Sequence, residues 1–346
     1  MRLIITGGAG FIGSALVKHA VGKNHDVLTI DKLTYAGRLE TLEEVLSSPR
    51  HRFLQADISD ADTVNQAFSD FDPDIVLHLA AESHVDRSID DPGVFVTTNV
   101  NGTVTLLEAA MRQWSTLSDQ RREKFRFVHV STDEVFGSLG ATGVFSRESK
   151  YAPNSPYAAS KAASDHFVRA YHETYGIPTI VTNCTNNYGP WQHSEKFIPT
   201  VIRHALEHAP IPLYGSGMNV RDWLYVGDHV DGLMTVAKLG RPGEIYLFGG
   251  RNELRNSDIA RTTCKILDER RPRPDGRSYV EQIVSVADRP GHDFRYAIDP
   301  SQVEYELGWR AATPFEVGLA DTIDWYLRHQ QHLLPTRSLG RLGNRQ

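Results

Sequence analysis

The sequence has little cysteine, no long apolar run and no excess of positive charge, and each shortage removes a class of protein. Only Cys184 and Cys264 occur in 346 residues, too few and too far apart for a disulfide framework or a CxxC pair. A reducing compartment is expected, and the chain reads as cytoplasmic. No apolar run approaches the ~20 residues that a membrane helix needs. The opening Met1-Arg2-Leu3-Ile4-Ile5-Thr6 runs straight into a strand-like segment, without the apolar core and cleavage site of a signal peptide. Net charge is −6, so nothing in the overall electrostatics favours nucleic acid or a membrane as partner. The 15 histidines are scattered, with no HExxH and no His/Cys cluster, so no metal site is expected. A GxSxG nucleophile elbow is also missing.

What is present is an ordinary globular composition, long enough for one large domain or two intimate lobes. Apolar runs at residues 3–6, 26–30, 52–56, 75–79, 125–131 and 179–183 alternate with helical patterns at 10–20, 61–69, 99–112 and 155–175. This alternation predicts an α/β fold, a doubly wound parallel Rossmann sheet, followed by a smaller C-terminal substrate lobe. Beyond Asn183 the pattern loosens and Pro and Gly become frequent. The expected division is 1–183 with 223–248 for the dinucleotide-binding domain and 184–222 with 249–330 for the lobe. Residues 270–276 read as a surface loop and 331–346 as a mobile tail. Chemistry should sit just after the strands, where such sheets bind ligands.

Gly8-Ala9-Gly10-Phe11-Ile12-Gly13 follows the first strand and opens a helix. Glycines there permit a tight turn and close approach of the backbone to a pyrophosphate, which the helix N-terminus attracts. Asp31 ends the second strand, where a carboxylate accepts from ribose hydroxyls and repels a 2′-phosphate; NAD is favoured over NADP. Asp57-Ile58 and Leu79-Ala80-Ala81-Glu82-Ser83 follow the third and fourth strands. Tyr157 and Lys161 share one helix face, with Ser155 as N-cap and Pro156 in the first turn. An ammonium beside a phenol favours phenolate, a base for a hydroxyl whose carbon loses hydride. Thr132-Asp133-Glu134 places two acids after a buried strand; a helix N-terminus alone is the bland explanation of such a pair.

Together these residues resemble the extended short-chain dehydrogenase/reductases, and Thr132-Asp133-Glu134 is similar to the dTDP-glucose 4,6-dehydratases. Further matching segments are Ala80 to Ser88, Asn186 to Pro190, Glu195 to Pro199, Arg221 to Val226 and Asp288 to Asp293. The resemblance implies bound NAD held by Gly7, Gly10, Phe11, Ile12, Gly13, Asp31, Lys32, Leu33, Thr34, Asp57, Ile58, Leu79, Ala80, Ala81, Ser83, Thr98, Tyr157, Lys161 and Asn187. It assigns the nucleotide sugar to Ser83, Thr132, Asn186, Lys196, Phe197, Pro212, Leu213, Tyr214, Arg221, Asn256, Arg289 and His292. It also implies a homodimer formed through two helices per subunit, with 99–112 and 155–175 as candidates.

The acids suit a dehydration. Oxidising C4 of a hexose acidifies the C5 proton; Glu134 then takes that proton while Asp133 protonates the departing C6 hydroxyl. Each acid or base contributes about 10²–10⁴-fold. Burial and a neighbouring carboxylate would keep Asp133 protonated. Val135-Phe136-Gly137-Ser138 departs from the family pattern, and residues 139–145 read as a flexible lip. His84 reads as a hydrogen-bonded structural histidine and Cys184 as a small buried residue. Competing readings are dehydration of a UDP-, CDP- or GDP-hexose, a 4-epimerase or decarboxylase on the same scaffold, and a non-catalytic NAD-sensing module.

Overall fold

The first strands form where apolar residues run without alternation, because both faces of the sheet are covered. In β1 (Arg2–Thr6), Leu3 and Ile5 join one core with the helices Phe11–Gly22 and Val226–Leu239. Ile4 points the other way, into a core with the helices Ala61–Phe71 and Gly102–Thr116. A computed structural model describes residues 1–288 and 293–333 of the chain. Arg289, His292 and the expected tail beyond residue 333 lie outside the described residues.

β2 (Asp26–Asp31), β3 (His51–Gln55), β4 (Ile75–His78), β5 (Arg126–Thr132) and β6 (Thr179–Cys184) complete the predicted set. β7 (Asn186–Tyr188), β8 (Ile211–Tyr214) and β9 (Val220–Tyr225) leave the sheet, and β10 (Ile245–Phe248) returns beside β6, pairing Ile245 with Val181. The parallel order is β3-β2-β1-β4-β5-β6-β10, reversing direction between β1 and β4, where such sheets open a crevice. β7 and β9 form a smaller sheet with β11 (Glu253–Arg255), and β8 pairs with β12 (Ile283–Val286). The helices Phe197–Leu206, Asn256–Arg270 and Phe315–Arg328 share a separate apolar core around Tyr188, Trp223 and Tyr326.

Three details differ from expectation. The helix foreseen at 99–112 opens with a wide π-turn, Val96–Asn101. That turn buries Asn99, whose amide accepts from Glu82 N (2.8 Å) and donates to Glu82 O (3.0 Å) and Ser160 Oγ (2.8 Å). Residues 331–333 are no tail: they finish a 3-10 turn, Gln330–Leu333, that buries Leu333 in the lobe core. The expected lip is pinned at both ends, where Leu139 N donates to Arg295 O (3.0 Å) and Phe145 N to Ala297 O (2.8 Å). Phe136 packs against Phe145 and Tyr151 in a small apolar cluster and does not line the cavity.

Candidate active site

The cavity of interest lies along the carboxyl ends of β1, β4, β5 and β6 and has a volume of about 310 Å³. Its cradle depends on two glycines. Gly7 has φ +70°, and a Cβ on it would stand 2.6 Å from Ala80 N. A Cβ on Gly13 would stand 2.1 Å from Gly7 O, so only glycine lets the helix pack this tightly on the turn. The helix begins after Gly10 with no side-chain cap, leaving its first N–H groups for an anion. Asp31 accepts from Ala9 N (3.0 Å) and Leu33 N (2.8 Å), one bond per oxygen, which leaves each oxygen further capacity for a ribose hydroxyl. Burial pushes its carboxyl up despite those bonds. Lys32 joins the far wall, donating to Thr98 Oγ1 (3.0 Å) and Asp57 Oδ2 (3.4 Å).

Thr132, Asp133 and Glu134 form the wall at the end of β5. Asp133 is buried, and burial first, then the Glu134 carboxylate, pushes its carboxyl up to about 8. Thr132 Oγ1 lies 3.3 Å from Asp133 Oδ1, while Asp133 Oδ2 is buried without a hydrogen-bond partner. A buried carboxyl with one oxygen unpaired, in a residue that lines the cavity, suits a proton donor.

Tyr157 and Lys161 enter from the helix Pro156–Tyr175, whose N-cap Ser155 accepts from Ala158 N (3.1 Å), a bond worth about 1 kcal/mol. The phenol differs from expectation. Burial, followed by the field of Glu134, holds it well above its ordinary value, and a hydrogen bond from Thr132 opposes this. Lys161 is directed inward, donating to Val130 O (2.9 Å) and approaching His129 Nε2 (3.2 Å). Burial brings its ammonium down to about 8. The helix spacing was readable in the sequence; the partners of Lys161, contributed by β5, were not.

The cavity gathers Gly7, Gly10, Phe11, Ile12, Gly13, Asp31, Lys32, Thr34, Ile58, Leu79, Ala80, Ala81, Ser83, Thr98, Thr132, Asp133, Glu134, Tyr157, Lys161, Asn186, Asn187 and Lys196. Leu33 and Asp57 touch it only through their bonds to Asp31 and Lys32. Phe197, Pro212, Leu213, Tyr214, Arg221 and Asn256 do not line it. Arg221 is buried, donates to Val220 O (2.8 Å) and Asp293 O (2.8 Å), and lies over the Tyr296 ring at 4.3 Å. Glu82, Gln192 and His193 line the cavity although no role was foreseen for them. Glu82 sits in a quoted motif; nothing local marks His193. Glu195 ties this rim together, 3.3 Å from His84 and 3.6 Å from Arg87, which lies over the Tyr35 ring at 3.6 Å. Cys184 is a buried wall residue whose thiol burial pushes up to about 12, too high for a resting nucleophile.

A doubly wound sheet that ends in a glycine cradle, with tyrosine and lysine one helical turn apart beside it, is the plan of the extended short-chain dehydrogenase/reductases. Residues 4–322 match the family model described as GDP-mannose 4,6 dehydratase. The chain is 54% identical over 337 residues to a probable dTDP-glucose 4,6-dehydratase of Sinorhizobium fredii, spanning 97% of this chain and 96% of that one. It is 54% identical over 327 residues to the dTDP-glucose 4,6-dehydratase of Xanthomonas campestris, spanning 94% and 93%. Among solved structures, the dTDP-glucose 4,6-dehydratase of Streptomyces venezuelae, with NAD bound, superposes with a TM-score of 0.85 at 44% identity, over 96% and 98% of the two chains. This protein belongs to the dTDP-glucose 4,6-dehydratase family. Among the described residues no helix is long and apolar enough to cross a membrane, and no group of His, Cys, Asp and Glu is arranged to hold a metal ion.

Proposed function

We propose that the chain converts dTDP-glucose to dTDP-4-keto-6-deoxyglucose by C4 oxidation, loss of water across C5 and C6, and hydride return to C6. NAD, held in the glycine cradle, would supply a hydride acceptor able to give the hydride back within one turnover. The glycines at 7, 10 and 13 suit its pyrophosphate and Asp31 its ribose, as the clash distances and the free helix end support. Tyr157, as the phenolate that a charged Lys161 favours, takes the C4 hydroxyl proton, Glu134 takes the C5 proton, and Asp133 protonates the leaving C6 hydroxyl. The observation that carries this reading is Asp133: a buried carboxyl held protonated to about 8, beside a second acid and within the same cavity as Tyr157. An epimerase has no use for that acid.

Proton bookkeeping adds support. Each turnover gives Tyr157 one proton and takes one from Asp133, while C5 loses one and regains one. Resetting the site therefore moves one proton from Tyr157 to Asp133. The Thr132 hydroxyl reaches both groups.

The nucleotide falls to the lobe, with Lys196, Arg221 and Asn256 as phosphate-side candidates and Pro212, Leu213 and Tyr214 near the base. Cytoplasmic residence suits two buried free thiols. A homodimer suits the exposed Ile89, Val94, Val96, Phe167 and Tyr175, on segments that pack against one another. Incubation with dTDP-, UDP-, CDP- and GDP-activated hexoses, followed by mass detection of water loss, tests the reading. Loss of water from the dTDP-sugar is expected; turnover of another nucleotide alone, or inversion at C4 without water loss, would overturn it.

A further inference from the structure

Behind Tyr157 the cavity floor is backed by a set of ionisable groups, of which the reaction above uses only Lys161. Lys161, His129 and Asp165 are 3%, 0% and 2% exposed, and of the three only Lys161 lines the cavity. They come from two elements: His129 from β5, and Lys161 and Asp165 from one face of the helix Pro156–Tyr175. Both neighbours meet the histidine at one atom, for Lys161 Nζ and Asp165 Oδ1 each lie 3.2 Å from His129 Nε2. One ring nitrogen cannot accept from the ammonium and donate to the carboxylate at the same time. The other nitrogen, Nδ1, is buried without a hydrogen-bond partner. Asp165 is anchored at its second oxygen by Tyr151 Oη (2.8 Å), Ser131 Oγ (2.9 Å) and Asn183 Nδ2 (3.3 Å). Three neutral donors on one oxygen favour the anion, which pairs across the imidazole with the lysine cation.

We propose that Asp165, facing Lys161 across the His129 imidazole, is the positioning residue whose charge keeps Lys161 cationic at the cavity floor. The inference rests on the proposed dehydration, in which a charged Lys161 helps Tyr157 give up its proton. The other titratable groups facing this set are His78 from β4, Cys184 from β6 and Tyr157 from the helix itself. His78 and His129 are held neutral by burial, and the Cys184 thiol stays protonated. Asp165 is therefore the anion that sustains the lysine charge. Burial holds Asp165 at about 6 and Lys161 at about 8, so the charged pair spans neutral pH.

Two readouts test this. The first uses protein without added ligand, its thermal stability followed against pH. Folded Lys161 releases its proton at about 8 and unfolded lysine at 10.5, so stability climbs as pH rises through that interval. In Asp165→Asn the climb begins lower, by about one pH unit or more. The second is the pH profile of kcat with dTDP-glucose, whose alkaline limb moves down in the same variant. Tyr151→Phe is the milder companion: removing one donor raises Asp165, so its acid limb moves up. If wild type fails to act on dTDP-glucose, the proposed function fails and the stability readout still decides the role of Asp165. If wild type turns over and both variants superimpose on its stability and kcat profiles, Asp165 is not the positioning residue.

Discussion

Asp133 behaves unlike an ordinary aspartate because it is buried beside Glu134, and this has two consequences of opposite use. As an acid it is competent below about 8, and elimination should fall as pH rises through that value. As a buried group whose folded value lies above 3.8, it contributes stability at low pH that is lost as pH rises toward 8. Asp133→Asn should therefore slow water loss by about 10²–10⁴-fold, while its thermal stability falls less than that of wild type between pH 5 and 8. Steady-state assays and melting curves across pH check both; an unchanged rate of water loss would remove Asp133 from the mechanism. Glu134→Gln should spare C4 oxidation but suppress exchange of the C5 hydrogen in D₂O, followed by mass detection. Exchange at the wild-type rate would overturn the assignment of Glu134 as base. The chemistry of these side chains was legible from Thr132-Asp133-Glu134 following a strand, but their proton affinities depend on neighbours that sequence order does not specify.

Among the elements, the strands were the most readable, because burial on both faces demands continuous apolar runs such as Leu3-Ile4-Ile5. Their observed ends differ from the reading by a residue, which is the scale of helix and strand fraying. The π-turn Val96–Asn101 was hidden; the Asn99 it carries engages Glu82, 17 positions away. The glycine turn was readable as a motif, though the severity of its constraint was not. Gly13→Ala would force a Cβ to within 2.1 Å of a carbonyl oxygen that belongs to the turn itself. A loss of about 1–3 kcal/mol is expected, with NAD affinity at least about tenfold lower, by melting and by NAD titration. An alanine variant that binds NAD normally would show the turn to be more pliant than its packing indicates.

For the whole molecule, the order of strands brings β5 between β4 and β6, so Thr132, Ser83 and Asn186 converge although they lie far apart in sequence. The lobe is built from discontinuous segments joined in one core, and β10 returns to the large sheet after that excursion. Its neighbours leave Phe167 and Val96 exposed on adjoining elements. Phe167→Asp should shift the protein to the monomer in sedimentation analysis; a wild-type monomer, or a variant dimer of undiminished affinity, would place the proposed interface elsewhere.

Local order along the chain was enough to determine the alternating elements, the cradle glycines, and a tyrosine and lysine one turn apart, because each arises from short-range sterics and helical period. Only the tertiary structure decided that Lys161 meets His129, that Asp165 backs it, and that Arg221 turns to carbonyls instead of lining the cavity. Such contacts join residues distant in sequence, and in a dry interior those contacts decide which group keeps its proton.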